Sequence, residues 1–443
     1  MDFENLKYKK IREVSKLIDT EQICPEELTY FYLEKISHDP KAKDVFTKVL
    51  RQSALDSAKE SKKRTRAGMR KGVLDGIPIS VKDLADIKGH LTRGGSFLTS
   101  TKKAKENALF IDKLQSQGVI LLGKTHMTEL AFSGLGLNPT TATPPNPFNE
   151  KLVSGGSSSG SAVSVSRNYC LASIGSDTGG SVRIPAAWNN LVGLKTTHGV
   201  IDLTGVLKLC PSFDTLGPIC RTVEDAHLVF DAMTDRKFRK LRRLEPKNFK
   251  FLIIKNMFFE DIDSEIKDSF NMIIEKITRS GATIEYKKLS EIDKAFEISK
   301  TVFPAEAYGI WQQEIEENSD KMFVPIRERF RSGREILARD YIFSLHKIFD
   351  LRMSFLQKVN GFDAILAPTS SIKPPCITRL LDDHEFFTEK NLLALRNTRI
   401  ANSLNLCALT LPTETDFSGL MLMGRPNSEF ELMSIGLSIE KLN

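Results

Sequence analysis

Two glycine–serine segments, each flanked by apolar runs, constrain this chain more than any other feature. Gly155-Gly156-Ser157-Ser158-Ser159-Gly160-Ser161 is followed by Ser176-Asp177-Thr178-Gly179-Gly180-Ser181, which sets Ser157 and Ser181 24 positions apart. Glycine reaches backbone conformations closed to other residues. Consecutive N–H groups in such a turn can converge on one anion. Ordinary connections span only ~4–6 residues, so the Gly-, Pro-, Ser-, Thr- and Asn-rich stretch 133–162, bordered by apolar residues, reads as a functional loop. A flexible linker shares the composition of 155–161. A phosphate-cradling loop does too, but the Gly-Lys-Ser/Thr ending of a P-loop is missing.

The surrounding chain supplies helices and strands to hold these turns. In 7–67, Leu17, Ile18, Leu28, Phe31, Tyr32 and Ile36 recur at helical spacing, with Pro25 near a helix start. At 73 the period changes, and Asp75-Gly76 leads into an extended apolar run, 77–81. A short helix through Ala108, Ile111 and Leu114 ends at Gly118, and 119–122 reads as a buried strand. A second strand–helix–strand unit starts at 249–254. It runs through a helix lined by Ile262, Ile266, Phe270, Ile273 and Ile277, is capped at Gly281, and returns along 282–286. Residues 290–358 read as mostly helical, 362–368 as a strand, 390–406 as a helix and 407–411 as a strand. This order predicts an α/β fold with helices on the faces of a sheet. With 443 residues, 41% of them hydrophobic, the chain can bury a large core.

Charge excludes little. A net charge of +7 on a chain this size is a mild excess that does not demand nucleic acid. The basic runs 62–66, 236–243 and 327–334 read as solvated helix faces and linkers, the alternative being a surface for RNA or an acidic partner. Cys24, Cys170, Cys210, Cys220, Cys376 and Cys407 form no CxxC pair and no metal-ligand spacing with the histidines, so no metal or cofactor is expected. Cys170 and Cys407 lie in apolar runs and read as buried thiols of a reducing compartment. The N-terminus, Met1-Asp2-Phe3-Glu4-Asn5, is polar, and no apolar run approaches the ~20 residues of a membrane span. A cytoplasmic protein is expected.

The chemistry these segments permit is acyl transfer. A serine hydroxyl is a weak nucleophile until a base takes its proton. None of the histidines lies in a catalytic context; only His126 and His198 fall near glycine-rich segments. Lys82 ends the apolar run of Gly76-Ile77-Pro78-Ile79-Ser80-Val81-Lys82-Asp83, 75 positions before Ser157. Its ammonium would end near the core, where burial lowers a lysine's pKa toward neutrality. A structural ion pair with Asp83 or another carboxylate is the competing reading. Ser157 can donate and accept at once, and so can pass a proton from Ser181 to Lys82. Thr178, Gly179, Gly180 and Ser181 are the candidate donors to an oxyanion.

Together these segments resemble the amidase signature family over nearly the whole chain, most strongly over 72–230. The carriers are 76–83, Gly123-Lys124-Thr125-His126-Met127-Thr128-Glu129-Leu130-Ala131, Gly155-Gly156-Ser157-Ser158, and Gly175 through Ala187. Ser212-Phe213-Asp214-Thr215-Leu216-Gly217-Pro218 and Ala367-Pro368-Thr369 fit downstream blocks. The resemblance implies a single domain, 1–443, with a central mixed β-sheet covered by helices on both faces. Within it, 1–70 would form N-terminal helices, 71–235 the catalytic core, 245–345 a variable helical/βα region, and 346–443 the completion of the core. It implies a C–N amide hydrolase that works through an acyl-enzyme. Ser181 would be the nucleophile, Ser157 the relay on a cis peptide bond to Gly156, and Lys82 the base.

Trp188-Asn189-Asn190, Lys195-Thr196-Thr197 and the hairpin segment Phe417-Ser418-Gly419-Leu420-Met421-Leu422 depart from the family pattern. They leave subfamily and substrate open. Met421 and the short hairpin favour a free-standing amidase for a small-molecule amide, with room for a homodimer. The alternative is the glutaminase component of a tRNA-dependent amidotransferase, with its partner subunits and tRNA. A catalytically inert scaffold or an RNA-associated protein is a third class. Arg183 or Arg352 could pair with a substrate carboxylate, or each could be a structural ion pair. Tyr308 and Trp311 could line the pocket or belong to the core.

Overall fold

The computed structural model describes residues 3–99, 101–236 and 239–442. Met1-Asp2 and the Lys237-Phe238 step of the second basic run lie outside the described residues. Among the described residues, eleven strands form one sheet. In chain order they are β1 (Phe46–Val49), β2 (Pro78–Lys82), β3 (Ile120–Thr125), β4 (Ala172–Ser176), β5 (Val192–Lys195), β6 (Leu216–Cys220), β7 (Lys250–Ile254), β8 (Thr283–Lys287), β9 (Ala364–Pro368), β10 (Cys407–Pro412) and β11 (Gly419–Gly424). Their spatial order is β1-β3-β2-β4-β6-β5-β10-β11-β9-β7-β8.

The sheet is mixed. β2 runs parallel to β3 and β4, β7 runs parallel to β8 and β9, and the remaining neighbours are antiparallel. Successive side chains of a strand point to opposite faces. Every residue of β2, β3, β4, β5, β6, β9 and β11 is buried, so the central sheet is covered on both faces. The edge strands β1 and β8 keep exposed positions. Such a fully covered strand reads in sequence as a continuous apolar run, which is why 77–81 and 119–122 were legible.

β1 corrects the reading of 1–70 as helices alone. Helices Ile11–Asp19, Pro25–His38 and Arg51–Arg66 are present, but Phe46–Val49 leaves the helical layer to pair antiparallel with β3. Four residues framed by two helices carry no period of their own. The long loop closes earlier than its composition suggests, because Ser159–Ser166 is already a helix. The second strand–helix–strand unit is present as β7, helix Ser264–Arg279 and β8, with Gly281 in the left-handed region just past the helix; Ile262, read as part of the helix face, precedes the first turn.

Three parallel strands position the site. Because β3, β2 and β4 run side by side in one direction, their C-terminal residues Thr125, Lys82 and Ser176 lie along one edge. Ligands of parallel sheets bind outside the carboxyl ends of the strands. β6 begins at that edge, with Leu216 opposite Ser176, and so brings Asp214 and Thr215 there too. No helix among the described residues is long and apolar enough to cross a membrane.

Candidate active site

Lys82 is the last residue of β2 and is 1% exposed. Its Nζ donates to Ser157 Oγ at 2.7 Å and to Ser176 Oγ at 2.8 Å. No carboxylate among the described residues touches it. The neighbouring Asp83 forms its ion pair with Lys124 instead, at 2.7 Å, so the competing reading of Lys82 as Asp83's partner does not hold. Burial pushes the Lys82 amine down to about 7, against the more distant charges of Asp177 and Asp214. An amine near neutrality can both donate to Ser176 and accept the Ser157 proton.

Ser157 lies on the cis peptide bond Gly156–Ser157. The two glycine–serine segments meet at this point, where Ser158 N–H donates to the Ser181 carbonyl at 3.2 Å. Ser158 Oγ donates to the Ser176 carbonyl at 3.2 Å, a second tie between the segments. Ser157, Ser158 and Ser181 are all buried.

The turn 177–183 is built around one carboxylate. Asp177 accepts from the N–H groups of Gly180 (2.8 Å) and Val182 (3.0 Å), and from Arg183 Nε (3.0 Å) and Nη2 (2.8 Å). Burial opposes its charge, but the Arg183 guanidinium overrides it and holds the carboxyl well below the usual range. Gly180 is in the left-handed region, and a Cβ there would overlap Thr398 Oγ1, so only glycine fits. Thr398 Oγ1 donates to the Gly179 carbonyl at 2.7 Å, and Thr178 Oγ1 donates to Asp214 at 2.6 Å.

Two expectations change here. The Gly180 N–H is already committed to Asp177, which removes it from the four candidate oxyanion donors. The N–H groups of Thr178, Gly179 and Ser181 donate to no acceptor among the described residues. Arg183 is fully buried and is not placed to hold a substrate carboxylate. Its remaining donors reach the Thr398 carbonyl (2.7 Å), Asn402 Oδ1 (2.6 Å) and Met421 Sδ (3.3 Å), which makes it the anchor of the signature turn.

Arg352 Nε donates to the Ser403 carbonyl at 2.8 Å, with the guanidinium 5.9 Å from the Phe213 ring. Tyr308 is buried and bonds Glu316, while Trp311 flanks the small cleft formed by Ser176, Thr178 and Asp214. His198 hydrogen-bonds the Pro211 carbonyl, and no histidine contacts Lys82, Ser157 or Ser181. The basic runs are largely spent inside the chain: Arg64 on Asp75, Lys62 on Glu26, Arg236 on Glu429, Arg239 on Glu431 and Arg331 on Glu316. Sequence reasoning missed Ser176 as a neighbour of Lys82, although it opens the same motif as Ser181. It also missed Arg399, whose setting emerges from the fold.

Known proteins resemble this chain in sequence and in fold. The amidase family model matches residues 27–433. A 2-amino-5-chloromuconic acid deaminase from Comamonas testosteroni is 33% identical over 388 residues, 85% of this chain and 83% of that protein. The A component of the glutamyl-tRNA(Gln) amidotransferase of Sulfurisphaera tokodaii is 29% identical over 455 residues, 94% and 93% of the two chains. A crystal structure of an amidase superposes with a TM-score of 0.88 at 26% identity, covering 98% of this chain and 99% of the other.

Proposed function

The chain belongs to the amidase family, enzymes that hydrolyse carbon–nitrogen bonds, and from that premise we propose that it cleaves an amide through Lys82, Ser157 and Ser181. The observation that carries this reading is a buried lysine amine, pushed down to about 7, lying 2.7 Å from Ser157 Oγ with no carboxylate of the described residues in contact.

In the proposed reaction, the Lys82 lone pair takes the Ser157 proton as Ser157 takes that of Ser181, and Ser181 Oγ attacks the amide carbon. The oxyanion that forms is met by the free N–H groups of the 178–181 turn, where one donor is worth roughly 2.7–4 kcal/mol of barrier. The proton returns through Ser157 to the leaving nitrogen, the C–N bond breaks, and an acyl group remains on Ser181. Water then repeats the attack with the same base and frees the acid.

The role as a free-standing amidase is favoured by Met421, whose side chain is buried in the sheet against Arg183. A second reading is supported by the near-complete overlap with the A component of an amidotransferase: release of ammonia from glutamine within a larger assembly. A hydrolysis screen over aliphatic amides, aryl amides, urea derivatives and glutamine separates the two. Ser181-dependent turnover of several amides by the chain alone supports the first reading. Turnover of glutamine alone, rising when partner subunits are added, supports the second. Turnover that survives Ser181→Ala contradicts both.

A further inference from the structure

A cavity of about 940 Å³ opens beside the signature turn, lined by Phe132, Phe296, Phe303, Phe387, Arg329 and Arg399 among others. Its inner wall adjoins the candidate oxyanion turn. Thr398, next to Arg399, holds the Gly179 carbonyl at 2.7 Å, and a Cβ placed on Gly179 would lie 3.7 Å from the Phe303 ring.

Arg399 is 5% exposed. Its guanidinium lies 5.6 Å from the Phe296 ring and 5.5 Å from the Phe303 ring, and it makes no hydrogen bond or ion pair among the described residues. The contrast with Arg183 is direct: that guanidinium, also buried, has a carboxylate, a carbonyl and an amide oxygen. A buried charge without a counter-ion is costly, and ring faces offset only part of that cost. Burial disfavours the charged form of Arg399 and likewise of Arg329, which donates to the Phe132 carbonyl and adds its own positive field. Carboxylates on the rim are engaged elsewhere or stand in solvent. Glu328 pairs with Arg327 and Arg331, Glu389 pairs with Lys390, and Glu385 is exposed. Lys300, also on the rim, pairs with Glu297.

No carboxylate among the described residues serves Arg399, and a planar guanidinium suits one. We propose that Arg399 receives the carboxylate of an amide substrate whose short carbon chain lies against Phe296 and Phe303, so that the enzyme prefers amido-carboxylic acids to neutral amides. This rests on the amide-hydrolase reading and extends it to a substrate class.

The test compares kcat/KM for succinamate and glutaramate with their uncharged counterparts butyramide and valeramide, in the full-length wild type and in Arg399→Met. The wild type should favour the charged pair. Arg399→Met should lower kcat/KM for the charged pair about 10- to 100-fold, mainly through KM, while neutral amides change little. Arg399→Lys should recover part of the loss. Equal losses on charged and neutral amides, or no preference in the wild type, would overturn the assignment while leaving a Ser181-dependent hydrolase intact. Calorimetric titration of glutarate into wild type, Ser181→Ala and an Arg399→Met variant shown by circular dichroism to be folded needs no turnover. Binding that is lost in Arg399→Met upholds the assignment even if no amide is cleaved, and absence of binding to the wild type overturns it.

Discussion

Lys82 and Lys124 sit on adjacent parallel strands, both buried, near the same edge of the sheet. Their surroundings differ in one respect. Lys124 has the Asp83 carboxylate at 2.7 Å and the Leu91 carbonyl at 2.6 Å, whereas Lys82 has two hydroxyl groups and, among the described residues, no carboxylate in contact. The first arrangement stabilises an ammonium, and the second leaves an amine free to accept a proton. Burial lowers the pKa of both, but only at Lys124 does an adjacent carboxylate push back. Burial alone does not make a lysine a base; the charge of its immediate neighbours decides.

That contrast is broken most strongly by exchanging each lysine for methionine. Lys82→Met should lower kcat/KM about 100- to 10,000-fold in steady-state hydrolysis, the range typical of a general base, while the fold survives because an uncharged side chain replaces one near neutrality. Lys124→Met should act on the other axis. It strands the Asp83 carboxylate, so denaturant unfolding should show a loss of about 3–5 kcal/mol, with hydrolysis by the folded fraction close to wild type. If the two variants exchange these phenotypes, the assignment is reversed.

The pH dependence sharpens the comparison next. Below about 7 the Lys82 amine is protonated and cannot accept, so kcat/KM should fall on the acid side and level off above that value. Each pH unit below the bend should cost about tenfold. Lys124→Met, where it folds, should leave the bend in place. The smallest effect belongs to Ser176→Ala. It removes one hydrogen bond to Lys82, worth about 1 kcal/mol, and should shift the bend without abolishing activity.

Much of this was legible in the chain, and the misses share a cause. The strand that carries Lys82 is buried on both faces and reads as an apolar run, whereas the strand that carries Ser176, Ala172-Ser173-Ile174-Gly175-Ser176, is equally buried but has no apolar run to betray it. β1 escaped because its four residues acquire strand character only from β3, more than seventy positions later. Arg183 invited a binding role because it follows the signature serine. Its partner Asp177 lies six positions earlier, and only the folded turn brings the two together. The Gly180 N–H was lost to the same carboxylate. Arg399 was hidden by its helix, His384–Ser403, which reads as an ordinary amphipathic segment. The signal was there nonetheless: Arg396-Asn397-Thr398-Arg399 with Asn402 is too polar for a helix that the apolar strand after it requires to be buried.

One measurement bears most directly on the lysine–serine–serine relay: the rate at which a sulfonyl fluoride labels the chain, followed against pH, with the modified residue located by mass spectrometry. The label should fall on Ser181, its rate should rise through about pH 7, and Lys82→Met should nearly eliminate it. A label on another residue, or an unchanged rate in Lys82→Met, would contradict the relay.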